Sequence, residues 1–368
     1  MIVLKFIKKH VVFCAAVVAA LMTCFFVPPD VEYLTYFDWK TLVCLFLTLA
    51  VVCALRNIKF FTIVARRLVK FSGNLRGLFL TLICITFLGS MLIANDMALI
   101  TFLPLGYFAL TTAKQERYMA YLFILQNISA NLGGMLTPFG NPQNLYLYSY
   151  FNIPTDEFCG IMLPPFLLAI SLLAVACLFV KPTTLTIDES FPEKLNRRRT
   201  VFYLILFVLS LLVVFRVVPT VVGLVLVTAI LWVADREALL MVDYPLLGTF
   251  FFFFIFSGNL ARIESVNAFL SQLLQQDTLL VSILSCQVIS NVPSAILLSR
   301  FTTDYSSLLL GVNIGGTGTL IASLASLITF SEYRILYPGH GKLYFWLFTL
   351  INVIFLVIMT IAVKFYFV

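Results

Sequence analysis

Long apolar runs alternate along the chain with short polar clusters, and this alternation lays out the elements before any motif is considered. Runs such as Thr200 to Phe215 and Tyr344 to Val363 hold no charged residue and read as membrane spans. Spans are expected at 11–27, 38–55, 117–150, 157–180, 200–216, 218–234, 244–261, 307–330 and 343–363. Two further apolar stretches, 77–113 and 278–299, read as hairpins. The period-two alternation of a membrane barrel is absent. The expected fold is an all-α polytopic membrane protein.

Composition strengthens this reading. The chain is 61% hydrophobic and 11% charged, and the longest hydrophilic stretch, Lys181 to Arg199, is too short to fold alone. A separate soluble domain is therefore not expected. The net charge of +7 speaks to sidedness rather than to nucleic acid. With the N-terminus placed in the cytoplasm, 19 of the 24 basic residues fall on cytoplasmic segments, and Lys40, Arg216, Arg262, Arg300 and Lys364 are left outside. The opening stretch lacks a small-x-small cleavage site and runs into Pro28 and Pro29, so it reads as an uncleaved first span. Eight scattered cysteines have no metal or redox spacing and read as small buried hydrophobes.

Two segments depart from the span pattern. "NIKFFTIVARRLVKF" (57–71) mixes apolar and basic residues at helical spacing, as an interfacial helix would, and "ESVNAFLSQLLQQ" (264–276) is its milder counterpart. The chain also repeats itself. Set without a gap over "NIGGTGTLIASLASL" (313–327), "NLGGMLTPFGNPQNL" (131–145) matches at Asn131/Asn313, Gly133/Gly315, Gly134/Gly316, Thr137/Thr319 and Leu145/Leu327. Upstream of each lies an apolar stretch interrupted by asparagine, then an amphipathic segment, then two spans. One extra span at 200–216 separates the copies, so the second enters from the opposite side. The expected organisation is a first inverted repeat over 1–180, a cytoplasmic loop and linking span over 181–217, and a second inverted repeat over 218–368. In the first, spans at 11–55 precede an arm at 57–71, a hairpin at 77–113, a broken helix at 117–150 and a span at 157–180. In the second, spans at 218–261 precede an arm at 264–276, a hairpin at 278–299, a broken helix at 307–330 and a span at 343–363.

The interruptions carry the chemistry. A backbone group freed in hydrocarbon costs several kcal/mol unless it is paired or lines a wet cavity. Gly133, Gly134, Pro138, Gly140 and Pro142 unwind a helix in mid-span, and Gly315 and Gly316 do so in the second copy. Freed carbonyls suit a cation, and freed N–H groups suit an anion. Asn141, Gln143 and Asn144 add amides without a buried charge. Asp96 is the one charged residue in 77–113, and an acidic group at membrane depth is a candidate to bind Na⁺ or exchange H⁺. Charge bias does not separate a re-entrant hairpin from two full spans over 77–113; the hairpin is favoured because 278–299 is too short for two spans.

With "ANDMALITFLPL", "NLGGMLTPFGNPQNLYLY", "FFFIFSGNLARI", "SNVPSAILLSRF" and "GVNIGGTGTLIASLASLI", the chain resembles the ion transporter superfamily. That group includes arsenical-resistance permeases, citrate transporters, NhaD-type sodium/proton antiporters and divalent anion/sodium symporters. The resemblance implies an elevator-type fold with a scaffold and a transport domain, working as a homodimer. It also implies that hairpin tips and broken helices hold the cargo and its coupling ion. Carried onto this chain, the substrate-binding set is Asn95, Thr137, Asn141, Asn144, Ser290, Asn291, Thr319 and Ser323. The coupling-ion set is Asn95, Asp96, Gly133, Gly134, Asn291, Ser294, Gly315 and Gly316, with Na⁺ as the candidate metal and no transition metal or cofactor. In the dicarboxylate branch each tip reads Ser-Asn-Thr. Here the tips read Ala94-Asn95-Asp96 and Ser290-Asn291-Val292, which leans toward the arsenical-permease and citrate-transporter side.

The expected function is secondary active transport of a small anion, an inorganic oxyanion or an organic carboxylate, across the cytoplasmic (inner) membrane with Na⁺ or H⁺. A Na⁺/H⁺ antiporter is the alternative. The expected partners are the bilayer, the anionic substrate and a second copy of the chain, without nucleic acid. An enzyme is not expected, since His10 and His340 lie near the ends and in no metal or nucleophile spacing. No phosphate-cradling loop suggests a pump.

Overall fold

The computed structural model describes residues 6, 10–70, 72–184 and 195–366. Lys5, Lys8, Lys9 and Lys194, counted above toward sidedness, lie outside the described residues, as does most of the hydrophilic stretch. No β-strand occurs among the described residues. In chain order the α-helices are α1 (Val11–Cys24), α2 (Trp39–Asn57), α3 (Phe60–Val69), α4 (Leu75–Ile93), α5 (Asn95–Thr112), α6 (Met119–Gly133), α7 (Pro142–Tyr150), α8 (Thr155–Leu178) and α9 (Arg197–Val214). They continue with α10 (Thr220–Ala234), α11 (Arg236–Leu240), α12 (Tyr244–Arg262), α13 (Glu264–Gln276), α14 (Thr278–Ile289), α15 (Asn291–Leu298), α16 (Tyr305–Ile314), α17 (Leu324–Leu336) and α18 (Gly341–Tyr366). Trp39–Asn57, Leu75–Ile93, Thr155–Leu178, Tyr244–Arg262 and Gly341–Phe365 are long and apolar enough to cross a membrane.

The sparse polar residues between apolar runs explain where the helices begin. Asp38, Asn74, Asp243, Asp277 and Asp304 each accept a hydrogen bond from the backbone N–H three residues on, at 2.8–3.1 Å. Each satisfies a donor that the first helical turn leaves open, an effect of about 1 kcal/mol. The segment expected as a first amphipathic arm is α3. It buries Phe61, Ala65 and Val69, four residues apart, and exposes Arg67.

The helices pack in two groups. In one, α1 lies along α12, and α2 packs against α9 and α10. In the other, α4 and α5 pack on each other and on α6, while α14 and α15 do the same with α16. The expected hairpins are thus α4–α5 and α14–α15, turning at Ala94 and Ser290. The two expected broken helices are α6 and α7, interrupted over 134–141, and α16 and α17, interrupted over 315–323. The α5 arm meets α17, and the α15 arm meets α7. Between the two groups lies a cavity.

Candidate functional site

Both hairpin tips turn on the same unusual backbone. Ala94 has φ 62° and ψ 154°, and Ser290 has φ 76° and ψ 157°. A side chain at positive φ is strained by roughly 1–3 kcal/mol, so the surroundings must enforce it. The residue after each tip is hydrogen-bonded in the same way. Asn95 Oδ1 accepts from the Asp96 N–H, and Asn291 Oδ1 from the Val292 N–H, both at 2.9 Å. Each asparagine thereby closes its own turn while sitting at the start of a helix.

The breaks grip the tips in matched fashion. Thr137 Oγ1 donates to Met91 O at 2.9 Å, and Thr319 Oγ1 to Gln287 O at 3.1 Å, each three residues before its tip. Gly133 faces Ser90, and Gly315 faces Cys286, each four residues before the tip; a Cβ at Gly133 would stand 2.2 Å from Phe87 O. A methyl group does not fit there. The two copies also cross-brace one another: Ser323 Oγ donates to Asn131 Oδ1 at 2.7 Å, and Asn141 Nδ2 to Asn313 Oδ1 at 3.3 Å. Asn131 Oδ1 further receives Asn95 Nδ2 at 3.1 Å.

A cavity of about 600 Å³ opens beside this knot. Its floor includes Asn95, Asp96, Gln143, Ser290, Asn291 and Ser323; its walls include Asp243 and Thr249 of the α12 start, His10 and Val11 of the α1 start, and Phe330, Ser331 and Arg334 of α17. Asp96 and Asp243 are close enough to repel each other. Asp96 Oδ1, Asn141 Oδ1 and Gln143 Oε1 are buried acceptors without a donor among the described residues. Buried acceptors are normally satisfied, so these open lone pairs are able to take a proton or a cation; Asp96 and Gln143 line the cavity, and Asn141 does not. Asn95, Asn291, Ser290 and Ser323 offer donors and acceptors alongside.

The citrate transporter family model matches residues 1–307. The chain belongs to the citrate transporter family. An uncharacterized transporter of Methanocaldococcus jannaschii is 36% identical over 294 residues, covering 79% of this chain and 80% of that protein. An inner membrane protein of Escherichia coli is 29% identical over 299 residues, covering 79% of each. A silicon efflux transporter of Oryza sativa subsp. japonica is 32% identical over 166 residues, which is 44% of this chain and 34% of that protein. As a member of the citrate transporter family the chain is a membrane transporter and not an enzyme.

In this citrate transporter family member the residues singled out from sequence divide into two sets. Asn95, Asp96, Ser290, Asn291 and Ser323 line the cavity. Thr137, Thr319, Asn141 and Asn144 lie beneath it and hold the breaks in shape. Asn144 Nδ2 donates to Gly134 O, Met135 O and Thr137 O at 3.1–3.3 Å, and its Oδ1 accepts from Asn313 at 2.6 Å. The freed carbonyls are therefore not left bare, in contrast to the expectation from sequence. Gln287 performs the same service in the second break, donating to Gly315 O at 2.8 Å and Thr317 O at 3.1 Å. Gly133 and Gly134 meet the first hairpin and the Asn141 amide, and Gly316 approaches the Asn291 and Asn131 amides. Ser294 Oγ pairs with Ser285 Oγ at 2.9 Å inside the second hairpin, away from the cavity. Asp243 and Arg334 reach the cavity without having been selected from sequence, and Gln143, named there among the amides of the break, reaches it without having been placed in either binding set. Gln143 stood in the quoted motif, and a polar side chain in an apolar run was its signal. Asp243 and Arg334 sit at helix ends, where charges are ordinary, and nothing local distinguishes them.

Proposed function

We propose that the chain is a secondary active transporter moving a small anion, an inorganic oxyanion or an organic carboxylate, with Na⁺ or H⁺ as the coupling ion. One observation carries this reading: two hairpin tips and the helix starts that follow the two breaks converge at a single cavity, where Asp96 Oδ1 and Gln143 Oε1 are buried without a donor among the described residues. Charge then sets the order of events. An anion entering beside bare Asp96 and Asp243 is repelled, so a cation must load Asp96 first, and that obligation is the coupling. Asn95, Ser290, Asn291 and Ser323 then meet the oxygens of the cargo. Thr137, Asn141, Asn144, Thr319 and the glycines set the geometry from below. The family description, citrate transporter, supports an organic carboxylate as cargo, and one relative is named for silicon efflux.

The two halves are read as inverted repeats working as an elevator. In support, the element order recurs, the tips share their torsions, and the cross-bracing exchanges partners under the alignment. The scaffold pairs behave alike, since exchanging the halves turns the α1–α12 contact into the α10–α2 contact. The hairpins and broken helices would move together against that scaffold. An inner-membrane location, with a cytoplasmic N-terminus, is supported by the Escherichia coli relative and by the bias of basic residues. In that orientation the cavity, with His10 and Arg334 at its mouth, faces the cytoplasm. A homodimer follows from the family resemblance, and the exposed Val221, Val222, Val225 and Leu226 of α10 supply an apolar face for a partner or for lipid.

Uptake into proteoliposomes tests the reading. Asp96→Asn removes the carboxylate while keeping its size, and concentrative uptake is expected to fall to background in protein that still purifies folded. Unchanged uptake with unchanged Na⁺ and pH dependence would refute the role. The facing carboxylates of Asp96 and Asp243 favour a second reading, a Na⁺/H⁺ antiporter. Proton movement on addition of Na⁺ alone, with no anion present, selects it.

A further inference from the structure

The repeat alignment gives the open cavity a counterpart elsewhere in the molecule. The cavity lies where α1 and α12 begin, against the α17 face carrying Ile328, Phe330 and Ser331. Exchanging the halves sends this place to where α10 and α2 begin, against the α7 face carrying Tyr146, Tyr148 and Ser149. Asp243, the cap of α12, maps onto Asp38, the cap of α2. This counterpart is filled. Arg216, just before α10, donates through Nη2 to Tyr148 O at 2.7 Å, and its guanidinium lies 4.3 Å from the Tyr148 ring centroid. Its backbone, at φ 66°, is the left-handed residue that closes the C-terminus of α9, with its N–H on Val213 O and the Val217 N–H on Leu212 O, so the end of α9 fixes where this side chain starts. Arg300, just after α15, donates to Tyr36 O at 2.5 Å and lies 5.3 Å from the Tyr150 ring centroid. Tyr146 Oη and Ser299 Oγ, 2.7 Å apart, complete the seam.

We propose that Arg216 and Arg300 form a two-point latch that keeps this counterpart face closed while the cavity is open, and that its release permits the opposite state. The inference rests on the inverted-repeat reading. Both arginines join the hairpin and broken-helix group to scaffold segments, so both contacts must break if the groups slide. Both donate to backbone carbonyls while stacking on tyrosine, a combination suited to the planar guanidinium. They also lie among the five basic residues left on the outer side by the charge bias, so the latch faces away from the cytoplasm. A population held by such contacts shifts when they are removed. They are positioning residues: neither lines the cavity.

The test is labelling by a membrane-impermeant maleimide of the full chain in proteoliposomes, with its native cysteines replaced. S149C reports the sealed face and S331C the cavity. Arg216→Ala with Arg300→Ala is expected to raise S149C labelling and lower S331C labelling, changing their ratio roughly tenfold. Arg→Lys at both keeps the charge but not the planar stack, and should fall between. Lys364→Ala, an outer lysine paired with Asp277 and touching neither Tyr36 nor Tyr148, should leave the ratio unchanged. Unchanged ratios in the double variant would overturn the latch, as would S149C labelling that rises with no fall at S331C, which is local fraying. The chain with both arginines intact tests the underlying reading separately. If the two positions never change in opposite senses when Na⁺ or pH is varied, the alternating repeats fail. If they do so indifferently to Arg216 and Arg300, only the latch fails. Should the cysteine-replaced chain not fold, hydrogen exchange of 146–152 against 327–335 in the unmodified chain and its arginine variants gives the same decision.

Discussion

Under the alignment of 131–145 with 313–327, the α17 face carrying Phe330 and the α7 face carrying Tyr148 correspond, yet one borders a cavity and the other is packed by Arg216. Their frames are alike: each stands beside the first turn of a helix capped by aspartate, Asp243 in one case and Asp38 in the other. The difference lies in what occupies the gap. Arg334 lies 5.7 Å from the Phe330 ring on its own helix and leaves the space before it open. Arg216 arrives from a different segment and closes the gap. Under the proposed alternating arrangement, access would rest with the few side chains that cross between the helix groups.

The largest effects should come from the bracing that both halves share. Asn131→Ala and Asn313→Ala each strip partners from buried amides, and Asn131→Ala from the Ser323 hydroxyl as well, so each should destabilise the protein by roughly 1–3 kcal/mol. Thermal melting in detergent checks this; a large loss for one and none for the other would break the equivalence of the halves. A sharper contrast is available at the two caps. Asparagine caps a helix about as well as aspartate, so Asp243→Asn and Asp38→Asn should both leave stability nearly unchanged. Only Asp243→Asn should act on transport, raising the half-saturating concentration of the coupling cation a few-fold by removing a negative charge that faces Asp96. Equal kinetics in the two variants would remove Asp243 from the cation's surroundings.

Smaller effects probe the tips. Ala94→Gly relieves a strained φ and should stabilise by about 1 kcal/mol with transport retained, whereas Ser290→Gly also loses a cavity hydroxyl. A rise in melting temperature for the first and weaker cargo affinity for the second would distinguish the tips. The smallest effect belongs to the outer surface. The Arg262 guanidinium bonded to Asp30 holds that carboxyl below its ordinary range. A depressed carboxyl adds stability above its unfolded value and loses it as pH falls through the folded one. Arg262→Ala should therefore lower the melting temperature slightly near neutral pH, and the difference from the parent chain should vanish in acid. A difference that persists in acid would assign Arg262 a packing role instead.

Much of the architecture was legible in the amino-acid sequence because its causes are local. A run of apolar residues, a capping aspartate, or paired glycines among prolines acts on the chain within a turn or two, so helix ends, breaks and turns fall mostly within a few residues of the expected bounds. The match of 131–145 with 313–327 marked the residues that grip the hairpins alike: Thr137 and Thr319, Gly133 and Gly315. Which side chains face the cavity was settled only in three dimensions. Asn141, Gln143 and Asn144 share one turn and one chemistry, yet Gln143 lines the cavity while Asn144 ties up carbonyls. Where a helix is broken its 3.6-residue period lapses, so orientation passes from the chain to its neighbours. Asp243, Arg216 and Arg334 acquire their meaning in the same way, since packing of distant helices sets one beside Asp96, one against Tyr148 and one at an open mouth.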